Sequence, residues 1–318
     1  MNSQAATAAT ATPALHGGAL PTDSRPSGAL ASSALASGAL ASGYWQDLAT
    51  TDFARVDPAR TIALLPVAAI EQHGPHLPLC TDALINEAVV SRALLHLPAS
   101  ASVLVLPALN VGDSLEHTAF PGTLSADMEA LLGLWLSVGR GVARAGVRKL
   151  VIFNSHGGQR AHVDLAALRL RVAHGLLVAR AHSFSFGVPP GLFEADELAH
   201  GLHGGAVETS LVMHLRPDLV RTPALADFQS LGATLARRGG LLGVEKPVGM
   251  GWMTQDLNPH GACGDARAAS ADKGQRLLEH LAGCLVQLLA EMGAMPLPSA
   301  SASESASASE SASPRASA

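Results

Sequence analysis

The chain predicts an α/β fold with a mainly parallel sheet, and three observations support that prediction. Apolar runs of strand length alternate with longer stretches of helical spacing along most of the chain. The two firmest runs, Ile62 to Ile70 and Leu150 to Phe153, are apolar without alternation, as strands covered on both faces are. Each is followed at once by a polar cluster, and open parallel sheets bind their ligands beyond the carboxyl ends of their strands.

In chain order, residues 1–43 are mostly Ala, Ser, Thr, Gly and Pro with a loose repeat, Ser27-Gly28-Ala29-Leu30 and Ser37-Gly38-Ala39-Leu40. That composition buries too little apolar surface to offset its ordering entropy, so 1–43 reads as a disordered tail, and so does Ser/Ala-rich 297–318. Residues 44–296 are the expected domain. After the opening strand, Asp82 to Leu97 has helical composition, and Ser102 to Leu106 is a short strand that Pro107 ends. Ser125 stands as N-cap of a long apolar helix running to about Gly146. Leu150 to Phe153 is a strand, Gln159 to Ala173 a helix and Leu176 to Ala181 a further strand. Glu208 to His214 is helical, and the last long helix runs from about Ala268 to Glu291.

At 318 residues, 48% of them apolar, the chain can bury a large single core. A formal charge of -5 with scattered basic residues argues against a nucleic-acid or anionic-membrane partner and for a small-molecule substrate. Cys80, Cys263 and Cys284 form no CxxC pair and no even framework, which fits a reducing compartment and leads us to expect the cytoplasm. No window offers about 18 uninterrupted strongly apolar residues, so no spanning helix is expected.

The polar cluster after the opening strand is Glu71-Gln72-His73-Gly74-Pro75-His76-Leu77-Pro78-Leu79-Cys80-Thr81-Asp82. In an extended segment Glu71 and His73 share a face, where they can reach one cation or a close pair, and the two oxygens of Asp82 can bridge two cations. Such oxygen and nitrogen donors suit zinc, manganese or ferrous iron; a solvated polar loop is the plainer reading. After Phe153 come Asn154-Ser155-His156-Gly157-Gly158-Gln159, whose glycines allow a sharp turn that presents His156 and leaves free amides beside it. A helix-capping loop with an incidental histidine fits the same residues. In His203 to Ser210, either His203 or Glu208 can bind metal while the other moves protons. Glu116 and His117 either line the pocket or buttress its loops. Trp252, in a Gly-rich stretch, is either a lid that stacks on a planar substrate or the anchor of its loop.

Together these clusters resemble the creatininase family. The matching stretches are Glu71 to Leu79 with Thr81-Asp82, Glu116-His117 with Phe120-Pro121-Gly122-Thr123-Leu124-Ser125, and Asn154 to Gly158. His203 through Glu208-Thr209-Ser210 and Gly264-Asp265 complete the set, which spans about Thr61 to Leu278. The resemblance implies a three-layer α/β/α sandwich with two divalent metal ions (Zn, Mn or Fe), hydrolysing a carbon–nitrogen bond of an amide, and a homo-oligomer, hexamer or trimer. It implies Glu71, His73, Asp82 and His156 as metal ligands with Asp82 as the bridge, Glu208 as the completing ligand, and His203 as the proton-transfer group. Creatininases proper have Tyr and a ligating Glu where this chain has Gly157 and Gly158; Gln159 stands where many relatives have Asn, and Ala206 where many have Glu. Creatinine is therefore not the expected substrate, and the missing ligand is expected from Glu208.

On this reading a water shared by the two ions, deprotonated near neutral pH, attacks a small amide such as a cyclic amide or formamide. Backbone amides at Gly157 and Gly158 add donors toward the developing oxyanion. His203, oriented by Glu116 or His117, gives a proton to the leaving nitrogen. Within the family, a formamidopyrimidine-type deformylase or a peptidase is the nearest alternative. From other classes, a catalytically silent small-molecule-binding relative fits the substituted positions, whereas a nucleotide-binding Rossmann protein lacks its G-x-G-x-x-G turn.

Overall fold

The computed structural model describes residues 40–298. The tails predicted for 1–43 and 297–318 therefore lie outside the described residues, except at their inner ends. There, Leu40 is buried and Ser42 bonds both Ala101 O and Val103 N at 3.0 Å, so packed chain begins ahead of Tyr44.

The elements in order are β1 (Gly43–Tyr44), β2 (Ile62–Val67), α1 (Thr81–His96), β3 (Val103–Val105), α2 (Met128–Arg144), β4 (Lys149–Asn154), α3 (Arg160–His174) and β5 (Leu177–His182). They continue with α4 (Ala195–His200), α5 (Ala206–Leu215), β6 (Asp227–Phe228), α6 (Leu231–Arg237), α7 (Thr254–Leu257), β7 (Gly264–Asp265) and α8 (Ala271–Ala294). The expected strands and long helices are present with ends shifted by a few residues. The two-residue strands and the short helices α4, α6 and α7 lie where no periodicity announced them.

Among the described residues, β1 to β5 form one parallel sheet in the order β1-β3-β2-β4-β5, and β6 pairs antiparallel with β7. One face of the sheet packs Leu64, Val105, Val151 and Phe153 against Val89 of α1, Leu211 of α5 and Leu281 and Leu285 of α8. The other packs Ala63, Leu65 and Ile152 against Trp135 of α2 and Leu170 of α3. The result is a three-layer α/β/α sandwich whose central strands are buried on both faces.

Two departures from the sequence reading have plain causes. The α2 cap is Asp127 rather than Ser125. The Ser125 hydroxyl instead donates to Asp113 Oδ1 at 3.2 Å and accepts from Ser114 N at 2.9 Å, tying this stretch to the loop after β3. The second is α8, which is long and apolar enough to cross a membrane by length and composition. Its apolar stripe, Leu277, Leu281, Leu285 and Leu289, packs in the core instead.

Pro66 sits inside central strand β2, where a missing N–H normally breaks a ladder. Its carbonyl accepts from Leu109 N at 3.0 Å, on the side where β3 has already ended at Val105, so no β3 carbonyl waits for that absent donor. The carboxyl ends of β2 and β4 are clamped by Asn86 of α1. Its buried amide donates to Val67 O (3.0 Å), Phe153 O (3.1 Å) and Ser155 Oγ (3.2 Å). Ser155 Oγ in turn donates to Asp82 O at 2.9 Å, which fixes the first turn of α1 against the end of β4.

Candidate metal centre

Glu71 follows β2, Asp82 opens α1, His156 follows β4 and Glu208 opens α5, so the sheet's carboxyl edge brings together side chains that are distant in sequence. Asp82 lies at the centre: Oδ1 is 3.4 Å from His73 Nε2, and Oδ2 is 3.4 Å from His156 Nδ1. Two donor groups meet at this carboxylate, Glu71/Asp82/His156 and His73/Asp82/Glu208, and Glu71, His73 and His203 form a third around them. Glu71 and His73, expected to act from one face, thus divide between the two sides of Asp82.

Backbone carbonyls fix which imidazole nitrogen faces the cluster. His73 Nδ1 donates to Glu71 O (3.0 Å), His156 Nε2 to Asp113 O (2.8 Å) and His203 Nε2 to Gln72 O (2.6 Å). The opposite nitrogen of each ring is left as a lone-pair donor toward the carboxylates. His117 Nε2 stands 3.4 Å from Glu71 Oε1, while its Nδ1 accepts from Gln72 Nε2 at 2.8 Å. His117 therefore buttresses Glu71, and Gln72 rather than Glu116 holds both His117 and His203. As a neutral amide between the two donors at 71 and 73, Gln72 gave no signal in the sequence.

The electrostatics are those of a candidate cation site. Burial alone would lower His73, yet Asp82, with Glu208 and Glu71, raises it to about 9. His156 is likewise driven upward against burial by Glu71 and Asp82, and Asp82 is held far below its ordinary value against burial by those imidazoles. Burial lifts Glu208 to about 7. These shifts describe carboxylates drawing protons onto imidazoles where metal ions would neutralise them. His203 goes the other way, its burial and the charges of His73 and His117 holding it well below the usual value, and burial takes His117 to about 4. Glu71 Oε2, His73 Nε2 and Asp82 Oδ2 are buried with no hydrogen-bond partner, a cost that bound cations would remove. The residues therefore fit two divalent ions, with N and O donors on both sides of one carboxylate.

The floor of the site is closed, with Glu71, Asp82, His73 and His156 at 2% exposure or less. Its mouth is at Glu208, Glu116 and His203, whose side chains are 24%, 17% and 10% exposed, and Gly157 and Gly158 lie exposed on the rim. The Glu116 carboxylate stands 3.8 Å from Nε2 of both His117 and His156, and burial raises its pKa. Trp252, read as either a lid or the anchor of its loop, packs with Met250 against Val244, Leu257 and Cys263, a contact that fits an anchor. A groove of about 710 Å³ between α2 and α3 is lined by apolar residues such as Leu165, Leu168 and Val172 and lies away from this chemistry. A smaller one, about 430 Å³, borders the cluster through Gln72.

Comparison with known proteins gives the same picture. A family model described as creatininase, creatinine amidohydrolase, matches residues 46–289. A mycofactocin precursor peptide peptidase of Mycolicibacterium smegmatis is 34% identical over 232 residues, covering 70% of this chain and 82% of that protein. A creatinine amidohydrolase of Pseudomonas putida is 34% identical over 190 residues, 55% of this chain and 72% of that one. The solved structure of a manganese creatininase superposes with a TM-score of 0.64 at 27% identity, covering 80% of this chain and 100% of that chain.

Proposed function

The chain belongs to the creatininase family of metal-dependent hydrolases acting on carbon–nitrogen bonds, and from that membership we propose that it hydrolyses an amide at the Asp82 cluster. Glu71, Asp82 and His156 would hold one divalent ion, and His73, Asp82 and Glu208 the other. When bound, the pair supplies a water activated near neutral pH and a Lewis acid for the carbonyl.

The chain's own groups supply the rest. His203 is neutral at pH 7, so at the start of the cycle it accepts a proton rather than donating one. Its Nε2 proton is committed to Gln72 O, which leaves Nδ1, facing Glu71, as the atom that takes a proton and later passes it to the leaving nitrogen. Gln72 and His117 keep that ring in place, with His117 and His203 ring centroids 4.3 Å apart. The exposed Gly157 and Gly158 offer backbone amides at the mouth, where a carbonyl oxygen would sit.

The observation that carries this reading is the pair of Asp82 oxygens, each 3.4 Å from the free nitrogen of a different imidazole. Its test is metal content by elemental mass spectrometry on chain purified without chelator. About two equivalents in wild type and near none in Asp82→Ala are expected. A wild-type chain that takes up no zinc, manganese or iron on titration refutes the proposal.

One observation favours a peptide amide over creatinine. The rim position that carries a ligating glutamate in creatininases proper is Gly158 here, so the chain departs from them at that place, and the peptidase relatives match more of the chain than the creatinine amidohydrolase does. Turnover of short peptides without turnover of creatinine by the metal-loaded chain is the expected outcome.

A further inference from the structure

Gly158 and Glu116 compete for one volume. A Cβ built on Gly158 would fall on the Glu116 Oε1 atom and 2.7 Å from His156 Nε2. Gly158 has ordinary backbone geometry, since it is not among the glycines with positive φ, so what forbids a side chain there is this carboxylate and imidazole and not the turn. Thr254 Oγ1 donates to Glu116 O at 3.0 Å and pins the segment that delivers the carboxylate.

The nearest counter-charges to that carboxylate are two imidazoles. Both imidazoles beside it stand at 3.8 Å, beyond hydrogen-bond reach, and His156 Nε2 is already committed to Asp113 O. No Lys or Arg pairs with it among the described residues. At 17% exposure it is open only toward the mouth, next to His156 and the rim glycines. A mostly buried carboxylate that no Lys or Arg side chain pairs among the described residues, placed where a substrate must enter, has acceptor capacity left for a substrate donor.

Resting on the reading of the Asp82 cluster as the hydrolytic site, we propose that Glu116 is the specificity residue that accepts the N–H or ammonium on the nitrogen side of the substrate amide, and that Gly158 is glycine to leave it that place. Hydrolysis of an amide releases an amine that is protonated at neutral pH, so this carboxylate faces an N–H in the substrate and an ammonium in the product. The cluster acts on the carbonyl, and Glu116 selects the partner on the other side of the scissile bond.

The test is calorimetric titration of the metal-loaded full chain with propylamine and with its neutral isostere propanol near pH 7. Propylamine is expected to bind wild type about tenfold more tightly than Glu116→Gln, propanol equally to both, and metal content is expected to be the same in both. Equal propylamine affinity would place the amine on the cations and overturn the proposal. Loss of a metal equivalent in Glu116→Gln would make Glu116 a ligand and overturn it as well. Gly158→Ala supplies the steric half: it should lower propylamine affinity in the wild-type background as far as Glu116→Gln does, and have a clearly smaller effect in Glu116→Ala, where only the contact with His156 remains. Additive losses would show that Gly158 acts independently of Glu116. Because these readouts need no turnover, a chain that binds propylamine in the expected pattern but cleaves no amide supports Glu116 as the recognition group and refutes only the hydrolytic reading.

Discussion

The floor and the rim of the site are built in opposite ways. The floor, Glu71, His73, Asp82 and His156, hangs on the ends of β2 and β4 and the first turn of α1, almost fully buried and cross-tied by Asn86 and Ser155. The rim, Glu116, Gly157, Gly158 and the loop carrying Trp252, comes from connecting segments, is partly exposed and has few ties. Rigid elements set the donor geometry that chemistry requires, and loops set what may enter, because a loop can change without disturbing a ladder of strand hydrogen bonds. On the proposed reading, the floor sets the reaction class and the rim selects the substrate.

The comparison breaks most visibly if floor residues turn out to be interchangeable. His156→Ala and Glu208→Ala lie on opposite sides of Asp82, so each is expected to remove about one metal equivalent, leave the other, and cut activity by about 10² or more. Elemental analysis of both variants checks this; loss of both equivalents in each would show a single cooperative site.

A middle-sized effect comes from pH. In the metal-free chain His73 is raised to about 9 from 6.5 and Glu208 to about 7 from 4.5, so the folded state binds more protons than the unfolded one across those intervals. Stability from these groups is full below the lower values and is lost as pH rises, first through about 7 and then through about 9. The lowered His117 and His203 act the other way up to about pH 6.5, so chelator-treated chain should melt progressively lower from about pH 7 to about pH 9, and metal-loaded chain should not, because the ions replace the protons. Parallel thermal melts with and without metal check the sign.

The smallest effect belongs to the rim. Trp252→Ala removes half-buried surface from the cluster with Val244 and Leu257, and about 2 kcal/mol of stability is expected to go with it. Metal content should stay unchanged and the Michaelis constant should rise. A fall in metal content would tie this loop to the floor and blur the distinction.

Much of this was legible in the chain itself. Apolar runs such as Ile62 to Ile70 and Leu150 to Phe153 announce buried parallel strands because both faces are covered, and the polar clusters that follow them announce the binding edge. The dipeptide strands β6 and β7 carried no such signal, since two residues have no period. Gln72 drew no expectation because a neutral amide carries no ligand signal, and Ser125 was misplaced as a cap because its side chain found better partners in a neighbouring loop.

Sequence alone determined the fold class and the chemical identity of the donors, because strand burial and residue type are local properties. Tertiary structure alone decided how those donors divide around Asp82, which nitrogen of each imidazole is free, and that Glu116 fills the space beside Gly158. Those are contacts between segments far apart in the chain. They leave no periodicity to read, because nothing but the folded sheet and its crossovers brings them within a few ångströms.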